Sequence, residues 1–311
     1  MSNKIPSIVK AIRSYTPQEI NYAYHKTISY SQFSVYKECP HKWELQYKDG
    51  LQEYKPTIHT VFGTAMHEVL QSHLTVMFEE SAAAADRVNI EEQFEETFRK
   101  VYLDEYKKNK STHFSGAVEM REFYEDGLNI LSQFKKKRGQ YFSKKGWSLV
   151  KVELPIVMTP NNAFKNVLFK GFIDLVLYHE PTSTFKIIDF KTSTRGWNDE
   201  TKKDEGKQFQ LILYKYFFSQ QFSIPEDQIE VDFLILKRKI WEESEFPQSR
   251  LQEYSPPSGK IKMKKAITAI NNFLEQCFNT DGSYKDVTHP IIVNKNCQWC
   301  PYSDKKDLCN K

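Results

Sequence analysis

FKGFIDLVLYHEPTSTFKIIDFKTS, residues 169–193, decides the architecture. Two runs rich in β-branched and aromatic residues flank Glu180-Pro181-Thr182-Ser183, so the stretch reads as an antiparallel hairpin. With Pro181-Thr182 as a two-residue loop, Glu180 faces Ser183, and the register that follows puts Asp174 directly opposite Asp189. Opposed residues have β-carbons about 4.5–5.5 Å apart. Lys191, two residues beyond Asp189, shares its face because strand side chains alternate. A three-residue loop breaks this registry unless a bulge restores it.

Two carboxylates converging among Ile, Leu, Val and Phe are costly without positive compensation. A divalent cation is an economical solution, since carboxylate, carbonyl and water oxygens are the ligands Mg²⁺ and Mn²⁺ prefer. A lysine beside such an ion can position an attacking water, an arrangement suited to phosphodiester hydrolysis. A plainer account is an Asp174–Lys191 ion pair with Asp189 capping a turn. Spacing alone leaves both open.

The rest of the chain bounds these options. With 311 residues, 40 % hydrophobic and 14 % aromatic, it holds enough apolar matter for one large domain or two of ordinary size. Its net charge of +4, from 44 basic and 40 acidic residues, neither requires nor excludes nucleic acid. No run approaches the roughly 18 apolar residues of a membrane span, and MSNKIPSIVKAIRSY lacks the apolar core of a signal peptide. The expected location is the cytoplasm or another reducing compartment. Five cysteines, three of them in a C-x2-C-x8-C tail (Cys297, Cys300, Cys309), read there as metal ligands rather than disulfides. A closed site wants a fourth ligand, Cys39 or Cys277.

Residues 1–28 give little pattern and read as a surface leader. Residues 29–85 read as helical: Phe33, Tyr36, Trp43 and Tyr47 recur at helical spacing about a break at Cys39-Pro40, with Ser31 a candidate N-cap. A further helix over 61–78 carries His67 beside an apolar face. Residues 86–146 hold two long amphipathic helices, an all-α insertion ending in Lys135-Lys136-Lys137-Arg138. From 147 to 285 the pattern gives three strands, a helix over 205–221, the strand VDFLILKR and a helix ending at Phe278. The last segment, 286–311, is the cysteine tail.

Five segments in order resemble motifs of the PD-(D/E)XK nucleases, RecB-like branch, which includes the CRISPR-associated adaptation exonucleases. They are SQFSVYKECP (31–40), GTAMH (63–67), GFID (171–174), IIDFKT (187–192) and QLILY (210–214). The cysteine tail extends the likeness. It implies an α/β fold with a restriction-endonuclease-like core, a mixed central sheet flanked by helices, plus the all-α insertion and a cysteine-rich C-terminal clasp. It further implies that His67, Asp174, Asp189 and the Phe190 carbonyl hold Mg²⁺ or Mn²⁺, that Lys191 orients water, and that Gln210 and Tyr214 hold the strand and steady the site. Glu153 becomes an accessory acid. Asp189 departs from the commoner Glu, which shortens the reach to the metal by one methylene.

The same resemblance assigns the fourth thiolate to Cys39 and a [4Fe–4S] cluster to Cys39, Cys297, Cys300 and Cys309, with structural Zn²⁺ as the alternative. Cys277, in the apolar pattern AINNFLEQCF, reads as a buried free thiol. The implied activity is a metal-dependent deoxyribonuclease, an exonuclease acting on DNA ends or single strands in recombination, repair, phage or CRISPR-type DNA processing. The insertion is expected to arch over the site as a strand channel. Without helicase motifs, unwinding falls to a helicase or recombination partner. The alternative is a non-catalytic DNA-binding subunit with the nuclease fold.

Overall fold

In a computed structural model that describes residues 6–52 and 54–310, the chain opens with helix α1 (Ser7–Ser14) and strand β1 (Lys26–Ile28). Val9 and Ile12 are fully buried, which corrects the expectation of a surface leader, although residues 1–5 lie outside the described set. Helix α2 (Tyr30–Glu38) is capped by Ser29, whose hydroxyl accepts the Gln32 N–H, and not by Ser31, which lies within its first turn. Pro40 starts α3 (Pro40–Trp43), which runs into one π turn over Glu44–Lys48.

Four helices follow: α4 (Ile58–Glu79), opened by a reciprocal Thr57–Thr60 cap, α5 (Ala82–Arg87), α6 (Ile90–Lys108) and α7 (Ala117–Tyr141). Then come β2 (Trp147–Met158), β3 (Val167–His179), β4 (Thr184–Ser193), α8 (Asp199–Lys203) and α9 (Glu205–Phe222). Strands β5 (Ile229–Lys237) and β6 (Leu251–Tyr254) precede α10 (Lys260–Cys277). Neither β1 nor β6 was expected, because three or four residues are too few to display alternation.

The hairpin forms in the expected register, from His179 opposite Thr184 to Leu175 opposite Ile188. The Ser183 N–H donates to the Glu180 carbonyl at 3.3 Å across the two-residue turn. One edge of β3 pairs with β2 along almost its whole length. The other edge takes β1 in parallel at Val167–Phe169 and β4 at Leu175–His179, so residues 170–174 between them have no strand on that side. Strand β4 then pairs in parallel with β5, and β5 antiparallel with β6. The result is a six-stranded mixed sheet flanked by helices, consistent with the restriction-endonuclease-like architecture.

Two apolar cores cover the sheet. One joins α1, α2, α9 and α10 to Leu154, Ile173, Val176 and Ile187; the other joins α4, α6 and α7 to Leu175, Leu177, Ile188 and Phe190. The insertion is therefore a layer of the core, with Phe94, Phe98, Ile130 and Phe134 buried in it, and not an arch over the site. Amphipathic helices bury their apolar stripe on the nearest available face, and α4 supplies it.

The pleat reverses at Glu153. Val152 and Leu154 face opposite cores, as do Leu175 and Ile173 across from them, although residues two apart on a strand normally share a face. Between them Glu153 takes a left-handed φ of 47° and Asp174 lies across from it.

His73 on α4 is fully buried beside Phe134, with neither ring nitrogen hydrogen-bonded. Burial first, and Arg138 second, lower its pKa below the usual 6.5, while Asp86 and Glu91 pull upward against Arg138 and Lys135. The folded protein thus keeps His73 neutral while the unfolded chain protonates near 6.5, so its contribution is present above that pH and lost below it. Chemical denaturation between pH 7.5 and 5 should show wild type losing stability more steeply than His73→Leu, by at most about 1.4 kcal/mol per pH unit. Equal slopes would exclude His73 as the source.

Candidate active site

The unpaired stretch of β3 edge is where the predicted residues meet. Pairing stops one residue short of Asp174–Asp189, and Asp174 Oδ2 instead accepts the Phe190 N–H at 2.7 Å. A side-chain carboxylate does there what the next backbone carbonyl of a ladder would do. His67, brought over the hairpin by α4, has Nδ1 3.5 Å from the same Oδ2 and its ring edge-on to Phe190 at 5.7 Å. Asp189 is buried, and its Oδ2 lies 2.7 Å from Lys191 Nζ, at an angle that leaves the oxygen without a hydrogen bond. The alternative pairing of Asp174 with Lys191 is not the one observed.

Burial pushes the Asp189 carboxyl up to about 6, against the pull of Lys191 and with the added repulsion of Asp174. For His67 burial acts downward, but contact with Asp174 outweighs it and the imidazole is raised. Burial also raises the Tyr214 phenol, whose hydroxyl is reached by the Gln210 side chain and the Phe172 backbone. Gln210 and Tyr214, one turn apart on α9, line a cavity of about 490 Å³ together with His67, Asp174, Asp189 and Lys191. A second groove of about 870 Å³ continues from Lys191 and Gln210 past Lys37, Trp197 and Lys207.

Gln71 was not anticipated. One turn beyond His67 on the same helix face, its Nε2 donates to Glu153 Oε1 at 2.5 Å and to the Asp174 carbonyl at 3.1 Å. It ties the pleat reversal to α4. The readable signal was a glutamine four residues after His67 on a helix whose buried residues are otherwise almost all apolar. Glu153 itself is exposed at the rim, with its carboxyl raised by burial of its charged end and by Asp174.

An oxygen-rich donor set with one imidazole fits a hard divalent cation, and the bond-free buried Asp189 Oδ2 is an acceptor such an ion would satisfy. The expected trio is nonetheless not drawn together around one point. Among the described residues, no three His, Cys, Asp or Glu side chains stand close enough to hold an ion. Phe190 N–H and Lys191 offset the two carboxylates instead.

The four tail-and-head cysteines, Cys39, Cys297, Cys300 and Cys309, line one small cavity with Leu45, Ile291 and Ile292. Backbone N–H groups of Ile292 and Asn294 point at Cys39 Sγ (3.5 Å) and Cys297 Sγ (3.4 Å). Cys277 is buried in the core, its thiol raised by burial, and takes no part. Thus the four thiols that the resemblance implied line one cavity, though among the described residues they do not form a closed metal cage.

Gly171 sits where Tyr214 passes: a β-carbon there would lie 2.9 Å from Tyr214 Cε1. Gly171→Ala should therefore destabilise the fold by about 1–3 kcal/mol through overpacking. Because one clash underlies it, that cost should largely vanish in a Tyr214→Ala background, measured as a double-mutant cycle by urea denaturation. Additive effects would show that the ring is not the obstacle.

A family model described as PD-(D/E)XK nuclease superfamily matches residues 27–309. No curated protein matches the chain. Among the described residues, no helix is long and apolar enough to cross a membrane.

Proposed function

The chain belongs to the PD-(D/E)XK nuclease superfamily, and from that premise we propose that it is a divalent-metal-dependent DNA nuclease, an exonuclease acting on DNA ends or single strands. The observation that carries this reading is the open hairpin edge, where Asp174, Asp189 and Lys191 meet His67 in one cavity. Mg²⁺ or Mn²⁺, held by Asp174, Asp189, His67 and the Phe190 carbonyl, would activate the phosphate and neutralise its developing charge. Lys191 orients the attacking water, whose oxygen forms the new P–O bond as the bond to the leaving 3′- or 5′-oxygen breaks. Gln210 and Tyr214 hold the strand against the carboxylates. A non-catalytic DNA-binding subunit would have no use for a buried, half-compensated Asp189.

The decisive assay is degradation of end-labelled linear and circular DNA, single- and double-stranded, with Mg²⁺ or Mn²⁺. Asp174→Ala, Asp189→Ala and Lys191→Ala should each lose about 100-fold or more, the scale of removing one preorganised charged group. Unchanged rates in these variants would sink the proposed site. Cleavage of linear but not circular DNA supports the exonuclease assignment; equal cleavage assigns an endonuclease.

We further propose that Cys39, Cys297, Cys300 and Cys309 hold a [4Fe–4S] cluster that fastens the tail to the first helices. The support is the shared cavity and the N–H groups aimed at two of the sulfurs, a feature of thiolate sites. Anaerobically purified protein should carry iron and sulfide in equal amounts, retained in Cys277→Ala and lost in Cys39→Ala. Zinc without sulfide would replace the cluster by a structural zinc ion. Recombination, repair or phage-type processing, with a helicase partner for duplex substrates, is the setting that suits such an activity.

A further inference from the structure

Beyond the pleat reversal one face of the sheet is only partly covered. The α4 layer covers the second face from Val152 and Leu175 onward. On the near side of Asp174 that same face consists of Pro155 and Val157 on β2 and their cross-strand partners Phe172 and Lys170 on β3. Phe172 is 46 % exposed, whereas its strand neighbours Phe169 and Ile173 are fully buried. It also belongs to the unpaired edge and borders the cleft. Lys170 Nζ lies 3.4 Å from the hydroxyl of Tyr22, and Tyr22 and Tyr24 are themselves strongly exposed.

This patch is continuous with the site. Lys170, Gly171 and Phe172 line the same 490 Å³ cavity as Asp174, Asp189 and Lys191. An exposed aromatic ring beside a cation, on an open sheet face, is how proteins hold unpaired bases: the ring stacks on the base and the cation meets the backbone phosphate. A duplex presents no free base face to such a ring.

We propose that Phe172, with Lys170 and Tyr22, forms a subsite for a single DNA strand, in which Phe172 stacks on a base next to the phosphate that enters the cleft beside Lys191. The inference rests on the nuclease reading for its substrate. Its chemistry, a stacked base beside an ammonium group, does not depend on cleavage. Phe172 is then a binding residue that selects unpaired DNA at the mouth of the cleft.

The test separates binding from cleavage. Fluorescence anisotropy with a labelled oligodeoxythymidine in EDTA reads affinity without turnover. Phe172→Ala should weaken single-strand binding about five-fold or more, the lower end of what one base–aromatic stack contributes. Phe172→Trp should restore it, and affinity for a blunt duplex of the same length should change less than two-fold. Lys170→Gln should flatten the salt dependence of single-strand binding by about one phosphate contact. With Mg²⁺ or Mn²⁺, Phe172→Ala should raise KM for the oligonucleotide and leave kcat within about two-fold. Thermal unfolding of each variant should stay cooperative with a midpoint well above the assay temperature, which separates loss of binding from loss of the fold.

Unchanged single-strand affinity in Phe172→Ala, with wild-type cleavage intact, would overturn the subsite and leave the nuclease reading standing. Phe172-dependent binding in a protein that cleaves nothing with either metal would do the reverse. Equal loss on single strand and duplex would also overturn it, because stacking on an unpaired base is the source of the preference.

Discussion

The structure turns on one hydrogen bond, from the Phe190 N–H to the Asp174 carboxylate. Every buried backbone donor needs a partner, and Phe190 lies where the β3–β4 ladder has already ended. Had the ladder continued, residues 170–174 would be covered by a strand and the cleft would not exist. Because Asp174 reaches across instead, β3 can carry β1 at one end of its edge, β4 at the other, and an open gap between. Leaving that donor unpaired would cost about 1–3 kcal/mol, so the residue that faces the cleft also closes the sheet.

The pleat reversal serves the same arrangement. Glu153 in the left-handed region and Asp174 opposite it lie where the two faces of the sheet exchange sides. A non-glycine residue there is strained by about 1–3 kcal/mol and persists only where neighbours hold it. Gln71 does so, bridging the Glu153 carboxylate and the Asp174 carbonyl from α4. Strain, helix position and carboxylate direction are thus one linked feature.

Much of this was legible because strand arithmetic is rigid. A two-residue turn at Pro181-Thr182 and a period of two were enough to bring Asp174 level with Asp189 and to set Lys191 on the same face. The long amphipathic helices and the buried role of Cys277 followed from spacing alone. The unread parts share a physical cause: they depend on contacts between distant segments. The strands β1 and β6 exist only because β3 and β5 offer edges, and α1 is anchored by a stripe of two residues, Val9 and Ile12. The insertion's place as a core layer depends on which face α4 leaves bare. The clasp is of this kind too. Glu44 accepts the His289 N–H while bound to His41 and Lys48, and Asn294 donates to the Glu38 carbonyl, so the two ends of the chain are joined by protein bonds as well as by neighbouring thiols.

The electrostatics of the cleft set stability against chemistry. Asp174 is compensated by a backbone donor and by His67, and Asp189 by Lys191 with a smaller contribution from His67. Burial still raises Asp189 from 3.8 to about 6. A folded-state value above the unfolded one means that the ionised form destabilises the fold: the penalty is absent below the unfolded value, grows as pH rises, and is complete above about 6. The ionised form is thus a cost that the fold bears at neutral pH. An asparagine or leucine there would avoid the cost, and neither would leave a buried anionic oxygen open to a cation. The fold carries that charge at a cost, with the carboxyl raised by burial and only partly offset by its neighbours.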